Sequence, residues 1–221
     1  MNTIINYLVE LNLGLFFFYG IYWLLFRNET QFTNKRWFLL SAMLGSLLFP
    51  LLTFSGTQNG IIPTLGNAIP AHWLPEIVIV GHGNVTTPEV PTNYWTWITP
   101  IYFCVAVFFI LLLLIRVSKI VWLFYKANRY TWNAYTVAES NQVHGIFSFF
   151  QYIFLSSSNQ IDATEKEEIL RHEAVHIQKG HSFDIILIHL LQAVCWFNPI
   201  IRLYKISLVQ VHEFEADARS V

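Results

Sequence analysis

Five consecutive residues, His172-Glu173-Ala174-Val175-His176, carry the most telling chemistry in this chain. Two histidines four apart lie about one turn apart on a helix, so both imidazoles leave the same face and can reach one metal ion. Glu173 sits one step round from His172, where its carboxylate can take a proton from a metal-bound water. H-E-x-x-H is the pattern of zinc-dependent hydrolysis, and a metallopeptidase is the leading reading. With 8 His and 11 Glu in 221 residues, random order gives the pattern in roughly one or two per cent of such chains, so chance explains it poorly. The bland alternative is a pair of polar histidines on a solvated helix face.

A catalytic zinc takes three protein ligands and keeps its fourth position for water. A further histidine in the pattern H-E-x-x-H-x-x-G-x-x-H would need glycine at 179 and histidine at 182, but the chain has Lys179 and Ser182 there. Glu213-Phe214-Glu215-Ala216-Asp217 falls on what reads as a helix from about Ile200, with Glu213 and Asp217 spaced to share a face. Glu213 is then the third ligand. Asp217 hydrogen-bonds the free nitrogen of a ligating histidine and fixes its tautomer, while Glu215 points away from that face. The alternative is an acidic, solvated helix end. His181 and Asp184 can orient a substrate or a ligand, with a local polar pair as the simpler reading; a closed site completed by His212 or His181 would be structural rather than catalytic.

The elements that position these groups are legible in part. Thr164-Glu165-Lys166-Glu167 reads as a capping box that starts the zinc helix, and Lys179-Gly180 as its stop. Upstream, Tyr135 to Ala138 and Ile146 to Leu155 are β-branched and aromatic runs, expected as a small hairpin or sheet edge. Such an edge can hold an extended substrate by backbone hydrogen bonds; a plain buried hairpin or an interfacial segment is the alternative. Phe183 to Ile201 is mostly apolar but interrupted by Asp184, His189, Gln192 and Asn198. We read it as a helix packed under the zinc site or dipping into a membrane surface, ended by Asn198-Pro199.

Composition sets the surroundings. Hydrophobic residues make up 54% and charged residues 12%, far more apolar than a soluble domain, which predicts a membrane protein. Three apolar stretches, about 4–26, 37–54 and 97–115, are each near the roughly 20 residues needed to cross hydrocarbon. Glu10 in the first is read as an interfacial group. That segment has no basic flank before it and no small-residue cleavage site after it, so it is expected to stay as an anchor. The connection 27–36 carries Arg27, Lys35 and Arg36, whereas 55–96 has no Lys or Arg, and Arg116, Lys119, Lys126 and Arg129 follow the third stretch. The positive-inside rule then puts the N-terminus outside and the zinc helix on the cytoplasmic side.

The remaining signals are exclusions. Cys104 and Cys195 both lie in apolar stretches, so neither a disulfide framework nor a cysteine ligand is expected. A net charge of −1 leaves no nucleic-acid footprint, and the basic run near 116–129 reads as membrane-flanking. The loop 55–96 holds one strand-like run, Ile77 to Val80, and two isolated histidines, His72 and His82, read as ordinary polar residues. It is a connector by default, although about 40 residues is long for one.

Four features together resemble the BlaR/MecR-type membrane metallopeptidases, a gluzincin family of bacterial sensor-transducers: the three-helix N-terminal array, the stretch Gly145-Ile146-Phe147 to Leu155-Ser156, the zinc helix, and Trp196-Phe197-Asn198-Pro199 followed by His212-Glu213-Phe214-Glu215-Ala216-Asp217. The resemblance implies zinc held by His172, His176 and Glu213, Glu173 as catalytic base, and regulated cleavage of a cytoplasmic DNA-binding repressor or of the protease itself. Antibiotic-sensing members carry a fourth membrane helix and an outward-facing drug-binding domain after the protease region. This sequence ends at Val221, within what reads as a helix, the expectation for a fragment of a longer protein, and drug sensing is not implied.

The expected fold is an α-helical membrane protein with about three N-terminal transmembrane helices (1–130) and a small cytoplasmic α+β gluzincin-like zinc domain (131–221). The expected activity is that of a zinc metalloendopeptidase in a bacterial inner membrane, in contact with membrane lipid and a protein or peptide substrate, without direct nucleic-acid binding. Two competing readings are a receptor or scaffold with a structural zinc domain, and a housekeeping gluzincin that degrades damaged membrane proteins.

Overall fold

Long apolar runs without an internal breaker build the first elements. A computed structural model describes residues 3–26, 29–51, 95–157 and 162–220. Helix α1 spans Thr3–Ile21 and continues into a π-helical turn at Tyr22–Phe26; α2 spans Phe32–Leu48 and α3 Trp95–Lys126. Two stretches, Asn6–Phe26 and Trp97–Lys126, are long and apolar enough to cross a membrane. Much of the apolar surface of α3 is exposed, including Trp97, Ile101, Phe108 and Leu114, as expected of a helix whose solvent is lipid.

Among the described residues the middle one of the three expected spans, 37–54, is not one of these two stretches, and the helices there and after it have other bounds than expected. Helix α2 starts at Phe32 rather than Trp37, so Lys35 and Arg36 are helical and buried instead of lying in a solvated loop. It ends in a short 3-10 turn, Phe49–Leu51, where Pro50 cannot continue the α-helical ladder. Helix α3 runs past Ile115 to Lys126, because no Gly or Pro interrupts 101–126. Arg116, Lys119 and Lys126 therefore extend that helix. The run Ile77 to Val80, His72 and His82 lie outside the described residues.

Four short strands follow: β1 Asn128–Trp132, β2 Tyr135–Ser140, β3 Ile146–Phe149 and β4 Tyr152–Ser156. Their order is β1-β2-β4-β3, with β2 parallel to β4 and the other pairs antiparallel. The run Ile146 to Leu155, expected with Tyr135 to Ala138 as a small hairpin or sheet edge, forms a hairpin by itself, turned at Phe150-Gln151 with Phe150 in the left-handed region at φ 52. Alternation decides both faces of the sheet. Val137, Ile153 and Leu155 pack with Leu170, while Ala138 and Phe154 pack with Ile120, Leu123 and Phe124 at the end of α3.

Helix α4 covers Ala163–Lys179, α5 His181–Val194 and α6 Pro199–Ser220. The N-cap position of α4 is Asp162 rather than Thr164, and no side-chain cap forms there: the Asp162 carboxylate instead accepts from the Thr164 hydroxyl at 2.5 Å, so the capping box expected at Thr164 is not formed. Gly180 ends α4 with φ 68, a conformation that favours glycine. Helix α5 stops at Val194, before Asn198-Pro199. That pair instead opens α6: Asn198 Oδ1 accepts the Ile200 N–H at 2.7 Å and Pro199 takes the first helical position.

The α5–α6 hairpin packs into the N-terminal helices. Leu11 and Leu15 of α1, Leu39 and Met43 of α2, Leu191 of α5, and Tyr204 and Leu208 of α6 form one buried cluster. Gly14 lets α1 and α2 approach closely, since a Cβ there would meet Ser46 Oγ at 3.2 Å. Polar side chains tie the hairpin in place: Asn198 Nδ2 donates to Asn12 Oδ1 at 2.5 Å, and the Tyr102 hydroxyl donates to the Val194 carbonyl at 2.8 Å.

Candidate metal centre

The α4 and α6 helices bring three ligand-type side chains to one point. His172 Nε2 and His176 Nε2 are 3.2 Å apart. Glu213 places Oε2 at 3.7 Å from the first and Oε1 at 4.0 Å from the second. The three donors all lie within 4.8 Å of one another, and among the described residues they form a group of three. Two nitrogens at ~2.0–2.1 Å from one tetrahedral zinc are about 3.3 Å apart, so the imidazole pair already has the spacing of two ligands. The carboxylate at their side supplies the negative charge a dication needs. The donor set therefore fits a divalent metal.

The outer nitrogens are held too. His172 Nδ1 is 3.2 Å from Asp217 Oδ1, the arrangement that keeps the proton on Nδ1 and turns the Nε2 lone pair toward Glu213. His176 Nδ1 is 2.7 Å from His181 Nδ1. Burial, then the neighbouring His172 and His212, push His176 down to about 4, so at neutral pH it is an uncharged imidazole with a free lone pair.

Glu173 stands beside this group rather than in it. Its carboxylate accepts hydrogen bonds from the hydroxyl and the backbone N–H of Ser148 in β3. Burial raises its pKa above the ordinary carboxylate value, against the lowering effect of Ser148 and of His172. Strand β3 is an edge of the sheet. In a hairpin closed by a two-residue turn, alternate residues face away from the partner strand, and Ser148 is one of these, two places from Ile146. A cavity of about 320 Å³ lies between this edge and the helices, lined by Ile146, Ser148, Glu173, His176 and Glu213 among others.

A second layer of buried polar residues was not legible from spacing. Arg36 of α2 donates from Nε to Asp184 Oδ2 at 2.6 Å, and the same oxygen lies 2.8 Å from His212 Nε2. The His212 ring stacks on His181 at 3.9 Å with the planes 8° apart, which completes a connection from α2 to His176. Burial would raise Asp184, but hydrogen bonds from His212 and Arg36 outweigh it and hold the carboxyl below its ordinary value. Glu215 does point away from Glu213, yet into the protein. It is 2% exposed, accepts from the Thr33 hydroxyl at 2.9 Å, and lies 3.2 Å from Lys179 Nζ and 3.5 Å from His181 Nε2. The available sequence signal was a lone acid, Asp184, in an otherwise apolar helix. Its partner Arg36 lies 148 residues earlier, beyond the reach of any local pattern.

Two histidines and a carboxylate from separate helices, with a further carboxylate beside them, define a metallopeptidase-like site on a mostly helical protein. Residues 143–221 match the family described as BlaR1 peptidase M56, in keeping with the resemblance carried by the sequence motifs. Among curated proteins no match to the chain is found. The family match and the two apolar helices together point to a membrane-associated, metallopeptidase-like protein.

Proposed function

We propose that this chain is a zinc metalloendopeptidase of the cytoplasmic membrane, with His172, His176 and Glu213 as metal ligands, Asp217 holding His172, and Glu173 as the general base. The observation that carries this reading is the convergence of the two Nε2 atoms and the Glu213 carboxylate, with Glu173 kept out of the ligand set by Ser148. No fourth protein ligand joins the group among the described residues. His181 turns Nδ1 to His176 Nδ1 and His212 turns Nε2 to Asp184, so both are engaged elsewhere. This supports an open catalytic position over a closed structural site.

A zinc ion in this site would supply a Lewis acid for a peptide carbonyl and a water whose pKa is lowered toward ~7. Glu173 accepts a proton from the attacking water and later delivers it to the leaving nitrogen, so one carboxyl serves as base and then acid. Its raised pKa suits the second duty. The edge of β3 offers the backbone groups of Ile146 and the carbonyl of Ser148, whose N–H is held by Glu173, to an extended peptide, aligning the scissile bond beside Glu173 without demanding particular side chains.

The positive-inside pattern supports a cytoplasmic site, and the family supports a signalling role in which the substrate is a DNA-binding repressor or the chain itself. The test is to compare cellular proteins in cells carrying the native chain and the Glu173→Gln form. Appearance of one cleaved repressor only with the native chain is the expected result. Cleavage of many membrane proteins would move the assignment to quality control, and identical protein patterns with full activity in the variant would remove the enzyme.

A further inference from the structure

A second cavity, of about 500 Å³, opens between α3, α5 and α6 on another side of the helix group. Its wall carries Arg116, Arg202, Lys205 and His189, and no Asp or Glu. Lys205 Nζ lies 3.4 Å from His189 Nε2, and Arg116 is close enough to repel both. Among the described residues no carboxylate lies within ion-pair distance of any of these three cations. Phe109, Leu112, Leu113 and Trp196 make apolar parts of the same wall.

Three like charges gathered against apolar surface, without an acid, cost free energy that an anion would offset. The geometry also sets a depth. Arg116 is 19 residues beyond Trp97, about 28 Å along the helix, close to the roughly 30 Å thickness of a hydrocarbon core. Its guanidinium therefore falls at the level of lipid phosphates, while Lys205 and Arg202 can extend long side chains toward that level. Guanidinium forks match phosphate oxygens in pairs, and an ammonium adds a third contact.

We infer that the cavity between α3, α5 and α6 is a phosphate-binding site that takes the headgroup of an anionic phospholipid through Arg116, Arg202 and Lys205. Its acyl chains would lie against Phe109, Leu112 and Leu113, which share with Arg116 the face of α3 that lines the cavity. The inference rests on the membrane reading and is independent of the peptidase chemistry, so a chain without cleavage activity tests it equally well.

The experiment is native mass spectrometry of the full chain released from detergent micelles, with phosphatidylglycerol, phosphatidylcholine or inorganic phosphate added separately. The native chain should retain one phosphatidylglycerol at least tenfold more often than phosphatidylcholine. The double variant Arg202→Gln, Lys205→Gln should lose that preference, while Lys119→Gln, Lys126→Gln should keep it. Retention of inorganic phosphate by the native chain, with no phosphatidylglycerol, would keep the phosphate site and overturn the lipid as its source. Equal retention of all lipids by the native and cavity-variant chains would overturn the site. Should the double variant fail to fold, Arg116→Gln on α3 carries the same comparison.

Discussion

Arg36 and Asp184 meet at 2.6 Å inside the protein, Nε against Oδ2, and join α2 to α5, the helix that follows the one carrying His172 and His176. Both side chains are less than 10% exposed. The bond matters because Asp184 also holds His212, whose ring lies flat on His181, the neighbour of His176. The Arg36 fork donates a second bond from its terminal nitrogen to the Lys179 carbonyl at 2.7 Å, just where α4 ends.

Removing one partner of this pair leaves a buried charge alone. Arg36→Gln is expected to destabilise the protein by about 3–5 kcal/mol, and the double variant Arg36→Gln, Asp184→Asn to recover part of that loss. Thermal unfolding of the four proteins in one detergent closes the cycle. Additive effects of the two changes would mean that the contact contributes nothing.

Glu173→Gln keeps a polar side chain of the same size beside the ligands but cannot accept a proton. Metal content should stay within error of the native value, whereas cleavage should fall by about 10²–10⁴-fold. His176→Ala should lose both metal and cleavage. Loss of metal from the Gln variant would make Glu173 part of the ligand set, contrary to the geometry.

Ser148 stabilises the charged form of Glu173 with two hydrogen bonds, while burial opposes it. The base must be ionised to work, so activity on the acid side should rise through a pKa above the ordinary carboxylate value. Ser148→Ala removes one lowering influence, and that limb should therefore move to higher pH. The check is the pH profile of kcat/KM on a peptide substrate. A limb that stays in place would show that the hydroxyl does not act on the base.

Helix α4, its glycine stop and the later acidic helix were all legible, because each depends on spacing within one turn or on a single residue type. Helix bounds were less so. Asn198-Pro199 reads equally well as an end or a beginning, and only the Asn198 bond to the Ile200 N–H distinguishes them. The hairpin inside Ile146 to Leu155 was hidden because its turn is made by Phe150-Gln151, without the Gly or Asn that marks such turns. Arg36 read as a loop charge since nothing near it in sequence reveals its partner Asp184 on α5. Long-range polar pairing, which sets the surroundings of His176, leaves no periodicity.

Acid should weaken the metal-free protein in a defined window. An unfolded histidine titrates near 6.5, while His176 in the folded chain titrates at about 4, chiefly through burial. Above pH 6.5 neither state gains a proton. As pH falls from 6.5 toward 4 the unfolded chain takes up protons that the folded chain refuses, and stability is lost across that range. The depressed pKa of His181, again from burial first, acts in the same direction. Unfolding midpoints measured between pH 7 and 4.5 should decline, and His181→Asn should flatten part of the decline.

The Asp217 carboxylate lies 3.2 Å from the outer nitrogen of His172 and is itself exposed, so its loss should leave the fold intact. What it controls is the position of one proton. An aspartate at Nδ1 keeps that nitrogen protonated and leaves the Nε2 lone pair free to bind metal. In Asp217→Asn the side-chain amide can present a donor, which favours the other tautomer and sets a proton on Nε2 where a metal should sit. Metal affinity is expected to fall about 10–100-fold, with thermal stability of the metal-free protein unchanged. Competition with a chromophoric zinc chelator measures the first quantity and calorimetry the second. Asp217→Glu keeps the charge and the acceptor, so it should restore much of the affinity. Failure of that variant to recover, with affinity equal to Asp217→Asn, would show that distance rather than charge sets the tautomer.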